Sequence, residues 1–242
     1  MRYDSRGVTP PFDFVGHPTT FFLISVMNAT SNLWMPIAMV IAAYLLGSVA
    51  FAIVISKIMG IADPRTFGSR NPGATNVLRS GKRSAAIATL VLDALKGFIP
   101  VLLMLRFATE WGFGGSASEW GALVGLAAFL GHLYPVFFGF KGGKGVATAV
   151  GVLFGLEPTL GLACLATFLI LVYFSRFVSL ASVVAAVFAP FYWLFGHGVA
   201  WQAGAVSTGC LAVMSLMLIW RHRENLGRIM KGTESKLGQS KK

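Results

Sequence analysis

Acidic side chains are scarce in this chain: nine Asp and Glu stand against twenty Lys and Arg in 242 residues, and charged residues of both signs reach only 12%. A soluble domain covers itself with about 25% charged residues, so the composition excludes an ordinary water-facing surface. Cysteine is nearly missing as well. Cys164 and Cys210 both sit in apolar runs, with no CxxC pair or Cys/His cluster, and are expected to be small buried hydrophobes. The first 32 residues lack the features of a secretory leader, because FFLISVM is short and follows an acid. No internal repeat of the transporter kind is present either.

What the chain has instead is hydrophobicity, at 55% of residues with a mean hydropathy of +0.71. Crossing a core of about 30 Å takes roughly 20 apolar residues, and seven blocks qualify as expected spans: 33–58, 84–105, 120–138, 146–156, 159–174, 177–195 and 199–220. The fourth is short. One kinked helix running through Glu157-Pro158 is the alternative, but the glutamate favours a turn. The expected fold is therefore an all-α integral membrane protein of seven transmembrane helices with short cytoplasmic functional loops.

The net charge of +11 need not mean a nucleic-acid partner, because cytoplasmic loops collect Lys and Arg. Arg65, Arg70, Arg79, Lys82 and Arg83 follow the first span, Lys141 and Lys144 the third and Arg176 the fifth. Arg221, Arg223, Arg228, Lys231, Lys236, Lys241 and Lys242 follow the seventh. The alternating loops are poor in such charge, so the C-terminus is expected inside and residues 1–32 form an extracytoplasmic extension, unless translation starts at Met35. Residues 33–238 make the membrane domain and 239–242 a basic tail.

Three segments carry the polar chemistry. Residues 67–84 (FGSRNPGATNVLRSGKRS) gather Ser69, Arg70, Asn71, Thr75, Asn76 and Arg79 among glycines. Small hydroxyl and amide groups, glycine-freed N–H groups and a guanidinium suit a phosphate, while a plain solvated loop is the bland alternative. Residues 131–150 hold Lys141-Gly142-Gly143-Lys144-Gly145 just before an apolar helix, where donors and the positive helix end would face an anion. The GxxxxGK[ST] register of a nucleotide loop is missing, and a tight positive turn would look similar. Thr148 either completes such a site or caps the turn. His132, inside the third span, is structural or functional with equal weight.

Residues 221–238 (RHRENLGRIMKGTESKLG) place His222, Asn225 and Arg228 three apart, on one face if the helix continues. An anchor to anionic lipid would need only the positive charges. Glu234 and Lys236 read as solvated residues. Asp93 and Lys96, three apart in the second span, are a costly intramembrane pair, either supporting or functional. Ser179 and Ser182 are weaker candidates at the start of the sixth span.

Taken together, GSRNPGATNVLR, LDALKG, GHLYPVFFGFKGGKGVAT, RFVSLAS and RHRENLGRIMKGTESK resemble the acyl-phosphate-dependent glycerol-3-phosphate acyltransferases of bacterial inner membranes, the PlsY family. The resemblance implies an outward N-terminus and an active site facing the cytoplasm. The reaction it implies moves an acyl group from acyl phosphate to the 1-hydroxyl of glycerol 3-phosphate, giving lysophosphatidate and phosphate in phospholipid biosynthesis. Arg79, Lys144, Arg228 and Lys141 would then supply electrostatics. Ser69, Asn71, Thr75, Asn76 and the Gly142-Gly143 backbone would orient phosphate oxygens.

His222 acts as base, or a substrate phosphate takes the proton while His222 and Asn225 position the acceptor. Partners are the two substrates and membrane lipid, with no nucleic acid, no metal and no cofactor, in a monomer. No His has Asp five positions later, which excludes the His-x4-Asp class of acyltransferase. The rival is a transporter or flippase for a phosphorylated metabolite or lipid, disfavoured by missing repeat symmetry.

Overall fold

The break in the first apolar block sets the architecture. The computed structural model describes residues 33–113 and 116–238, so the expected extension 1–32 and tail 239–242 lie outside the described residues. The block 33–58 is not one helix but two, α1 (Trp34–Gly47) and α2 (Phe51–Ile58), bent by 44°. Ser48 Oγ bonds back to Tyr44 O at 2.9 Å. A Cβ at Gly47 would collide with the Ala128 backbone. A glycine-serine pair with a back-bonding hydroxyl and a close neighbour is a usual cause of such a kink.

The chain continues through α3 (Ala74–Leu78), α4 (Arg83–Phe107), α5 (Ala117–Leu133), α6 (Val146–Leu156), α7 (Pro158–Ser175), α8 (Val178–Phe195), α9 (Ala205–Arg221) and α10 (Arg223–Met230). A 3-10 turn at Val136–Phe138 follows α5. No strand occurs among the described residues, only an isolated bridge between His197 and Trp201. Glu157 is extended (φ −157°, ψ 113°) and Pro158 opens α7, so the turn expected there is present. The seventh block starts later than expected, at Ala205, because residues 196–204 fold as a loop in which Trp201 stacks on Trp193 and bonds its carbonyl at 2.8 Å.

Among the described residues, four helices are long and apolar enough to cross a membrane, or six if each bent pair, α1–α2 and α9–α10, is one crossing. At ~1.5 Å per residue, the eleven-residue α6 covers about 16 Å, roughly half the apolar core. Helices α4, α5 and α6 meet through small residues. A Cβ on Gly97 would strike Thr148 O, and one on Gly151 would strike Ala94 O. Close backbone approach of this kind holds helices together where lipid removes the hydrophobic drive. The α4–α6 contact anchors the start of α6, and with it the segment that carries Lys144.

Candidate active site

Residues 139–145 reverse direction tightly, with Gly139, Phe140 and Gly145 at positive φ. The N–H of Gly142 donates to Leu133 O (3.2 Å) and that of Gly143 to His132 O (3.1 Å). From the other side Arg221 Nη2 donates to Gly142 O (2.7 Å) and Gly143 O (2.9 Å), and Nε to Gly143 O (3.2 Å). The two amides expected to orient phosphate oxygens are thus committed to α5. This corrects the reading of Gly142 and Gly143 as a free anion cradle. The glycines are needed for closeness: a Cβ on either would overlap His132.

Lys144 emerges from this clamp and donates to Asn225 Oδ1 on α10. Burial pushes the Lys144 pKa down to about 8, with Arg228 and Arg221 adding to the effect and Glu234 and Glu224 opposing it. Lys141, three residues earlier, is exposed.

The last apolar helix ends at Arg221 and the short helix α10 leaves it at 50°, so Asn225 and Arg228 share α10 while His222 lies just before it. His222 sits in the break, buried, with Nδ1 2.8 Å from Leu218 O. A carbonyl only accepts, so Nδ1 bears the proton and Nε2 is left as an acceptor. Burial, then the Lys144 charge, pushes the His222 pKa down to about 4.

Beyond α10 the chain folds back, fixed by Leu237 N to Arg176 O (2.8 Å) and Arg176 Nη2 to Leu237 O (2.9 Å). That return delivers Glu234 to the site. Its Oε1 accepts from Asn225 Nδ2 (2.6 Å) and Ser179 Oγ (2.8 Å), and its Oε2 accepts from Arg228 Nε (2.7 Å). Burial works to raise the Glu234 pKa, but the bonds from Asn225, Arg228 and Ser179 outweigh it and hold the carboxyl below its ordinary value. Glu234 was expected to be solvated and is instead the hub of the cluster.

The segment 67–79 adjoins the clamp: a Cβ at Gly143 would lie 3.0 Å from Pro72 O. Within it Asn76 is a brace. Its Nδ2 donates to Pro64 O (2.7 Å) and Phe67 O (3.2 Å), and its Oδ1 accepts from Ser69 N (2.9 Å). Buried and fully engaged, Asn76 has no group left to orient a phosphate, which corrects that expectation. Ser69, Thr75 and Arg79 are exposed and Asn71 half-buried. Thr148 neither completes the site nor caps the turn: it is buried in α6 against Gly97. Ser182 Oγ bonds back to Val178 O at 2.8 Å.

Next to this polar group lies a partly open apolar pocket between α6, α7, α8 and α9. Its lining includes Val146, two residues after Lys144, and Leu218, whose carbonyl meets His222, together with Leu153, Cys164, Ala189 and Leu211. Away from it, Asp93, Lys96 and His132 form a buried group. Lys96 Nζ lies 2.8 Å from Asp93 Oδ1 and 2.8 Å from Val49 O in the α1–α2 break, and His132 Nδ1 lies 3.5 Å from Asp93 Oδ1.

Comparison with known proteins gives one answer at three levels. The family profile described as glycerol-3-phosphate acyltransferase matches residues 37–232. The glycerol-3-phosphate acyltransferase of Albidiferax ferrireducens is 58% identical over 204 residues, covering 84% of this chain and 90% of the relative. That of Bordetella petrii is 51% identical over 217 residues, covering 90% of this chain and 100% of the relative. Among solved structures, PlsY, an integral membrane glycerol 3-phosphate acyltransferase, in its glycerol 3-phosphate form superposes with a TM-score of 0.75 at 43% identity, covering 84% of this chain and 96% of that one. Its lysophosphatidic acid form superposes with a TM-score of 0.73 at 42% identity, with the same coverage. With clustered cations, an adjoining apolar cavity and these matches, the chain belongs to the glycerol-3-phosphate acyltransferase family.

Proposed function

We propose that this chain transfers a fatty acyl group from acyl phosphate to the 1-hydroxyl of glycerol 3-phosphate, producing 1-acylglycerol 3-phosphate and inorganic phosphate. The observation that carries the reading is the site's two-ended chemistry. Lys144, Ser179 and the α10 pair Asn225 and Arg228, from three stretches of chain, gather beside a partly open apolar pocket. Such a site fits a ligand with an anionic head and a hydrocarbon tail.

The hydroxyl oxygen attacks the acyl carbonyl, the ester C–O bond forms, the bond to the phosphate oxygen breaks and phosphate leaves. An acyl phosphate is a mixed anhydride, so the chain need supply no covalent nucleophile. Its task is to hold two like-charged molecules together and stabilise charge on the leaving group. Lys144, Arg79, Arg228 and Lys141 supply positive charge. Ser69, Asn71 and Thr75 present hydroxyl and amide groups to phosphate oxygens, and His222 and Asn225 position the acceptor. A His222 pKa near 4 makes it a weaker base than a phosphate dianion, whose second pKa is about 6. The hydroxyl proton therefore passes to substrate phosphate.

The same reading places the enzyme in the bacterial inner membrane as a monomer. It has seven crossings when the short α6 is counted as one, with the N-terminus outside and the site facing the cytoplasm. Residues 33–238 are the catalytic domain, between an extracytoplasmic 1–32 extension and a basic 239–242 tail. Alternation of basic and non-basic loops supports that orientation.

The test is phosphate release by purified protein. Palmitoyl phosphate should yield phosphate only when glycerol 3-phosphate is added, and palmitoyl-CoA should give no product. Silence from well-folded protein, or equal use of palmitoyl-CoA, would overturn the reaction as written.

A further inference from the structure

Arg221 is the last residue of α9, half-buried, and makes no ion pair among the described residues. Its bonds go to backbone instead, reaching Gly142 O and Gly143 O at 2.7 and 2.9 Å from Nη2 and Gly143 O at 3.2 Å from Nε. The N–H groups of the same two glycines are held by Leu133 O and His132 O. Gly142 and Gly143 are therefore gripped at both polar ends, by α5 and by α9. Neither glycine can shift toward α5, since no space for even a Cβ exists there.

Lys144 is the next residue, and its ammonium meets Asn225, four positions beyond Arg221. The lysine side of that contact therefore follows directly on the two carbonyls that the guanidinium holds. A planar fork with several fixed donors suits adjacent carbonyls, which a single ammonium on a flexible stem does not.

We propose that Arg221 is a positioning residue for acyl transfer: by gripping the Gly142 and Gly143 carbonyls from the end of α9, it sets where the Lys144 ammonium meets a substrate phosphate. The inference rests on the reading of Lys144 as a phosphate-binding cation. The groups facing Lys144 are His222 in the helix break, Glu224, Asn225 and Arg228 on α10, Glu234 on the returning chain, and Arg221 itself.

Arg221→Lys tests this, because it keeps the charge and removes the fork. In protein melting within a few degrees of wild type, kcat should fall about 10- to 100-fold, the scale of a 1 Å misplacement. The alkaline limb of kcat/KM for glycerol 3-phosphate should also move to higher pH, as a loosened Lys144 gains water. In Arg221→Ala, methylguanidinium should restore turnover and methylammonium should not. If Arg221→Lys fails to fold, Arg221→Gln, which can retain one carbonyl contact, is read in its place. An unmoved limb, a wild-type kcat or a loss that only tracks the folded fraction overturns the inference. Lys144→Ala is assayed alongside. If it stays active the reading of the site fails, whereas an inactive Lys144→Ala beside an unaffected Arg221→Lys removes the clamp alone.

Discussion

Asp93 and Lys96 inside the bundle and Lys144, Asn225, Arg228 and Glu234 at the cavity end are both clusters of opposite charges, yet they differ in what is left over. In the interior pair the side chains are 3% and 1% exposed, and Lys96 spends its ammonium on Asp93 and on the Val49 carbonyl freed by the α1–α2 break. Both side chains are closed off from solvent. At the cavity end the Arg228 side chain stays 40% exposed and Lys144 is only half-buried, held by an amide and near, but not bonded to, a carboxylate. A cluster closed off by burial builds architecture. An unsaturated one beside a cavity can exchange its internal anion contacts for a substrate.

The sharpest way to break this contrast is to remove one cation from each cluster. Lys144→Ala should lower kcat/KM by at least about 10³-fold, the scale of losing a main electrostatic stabiliser, while thermal melting shifts by only a few degrees. Lys96→Met should do the reverse. It leaves the buried Asp93 without its ammonium partner, costing about 3–5 kcal/mol of stability, visible as early melting and low yield. Turnover per folded molecule should stay within about threefold. If Lys96→Met folded normally but was inactive, the interior cluster would be part of the reaction after all.

Glu234→Gln sharpens the comparison further. An amide cannot accept from Asn225, Ser179 and Arg228 together, and bonds to charged groups are worth about 1.5–3 kcal/mol each. Activity should fall about 10- to 100-fold with a modest drop in melting temperature, read by steady-state assay and calorimetry. A wild-type rate would show that Glu234 is a bystander.

The smallest effect is in pH. The Lys144 pKa is depressed to about 8 in the folded chain against 10.5 when unconstrained. The unfolded chain therefore binds more protons between those values, and this group makes stability rise, not fall, as pH climbs through them. Phosphate binding moves the other way, because Lys144 loses its charge above about 8. The KM for glycerol 3-phosphate should climb at most tenfold per pH unit there, and Lys144→Arg should flatten that limb.

Hydropathy made most helices legible, because bilayer thickness imposes block length. The separation of α6 from α7 was readable in Glu157-Pro158, since a charged residue and a proline rarely continue an apolar helix together. The α1–α2 break was not, because Gly47-Ser48 are compatible with a helix and the bend depends on Ala128 from a distant segment. Lys144, Asn225 and Arg228 could be singled out from their motifs, and the structure brings them together. Asn76 and the Gly142-Gly143 amides could not be judged, because sequence shows a donor but not which carbonyl takes it. Glu234 was missed for a related reason: its position depends on the return of the chain to Arg176, 61 residues from Leu237. The available signal was an acid six residues after Arg228 in a mostly basic stretch.

Convergence of the three segments at one face of the membrane is tested most directly by thiol labelling. Single cysteines replace the exposed Ser69, Lys141 and Thr233, and each variant is treated with an impermeant maleimide in right-side-out and inside-out vesicles. All three should react only in inside-out vesicles, and glycerol 3-phosphate should slow all three. Reaction of any one from the opposite face would mean the segments share no pocket.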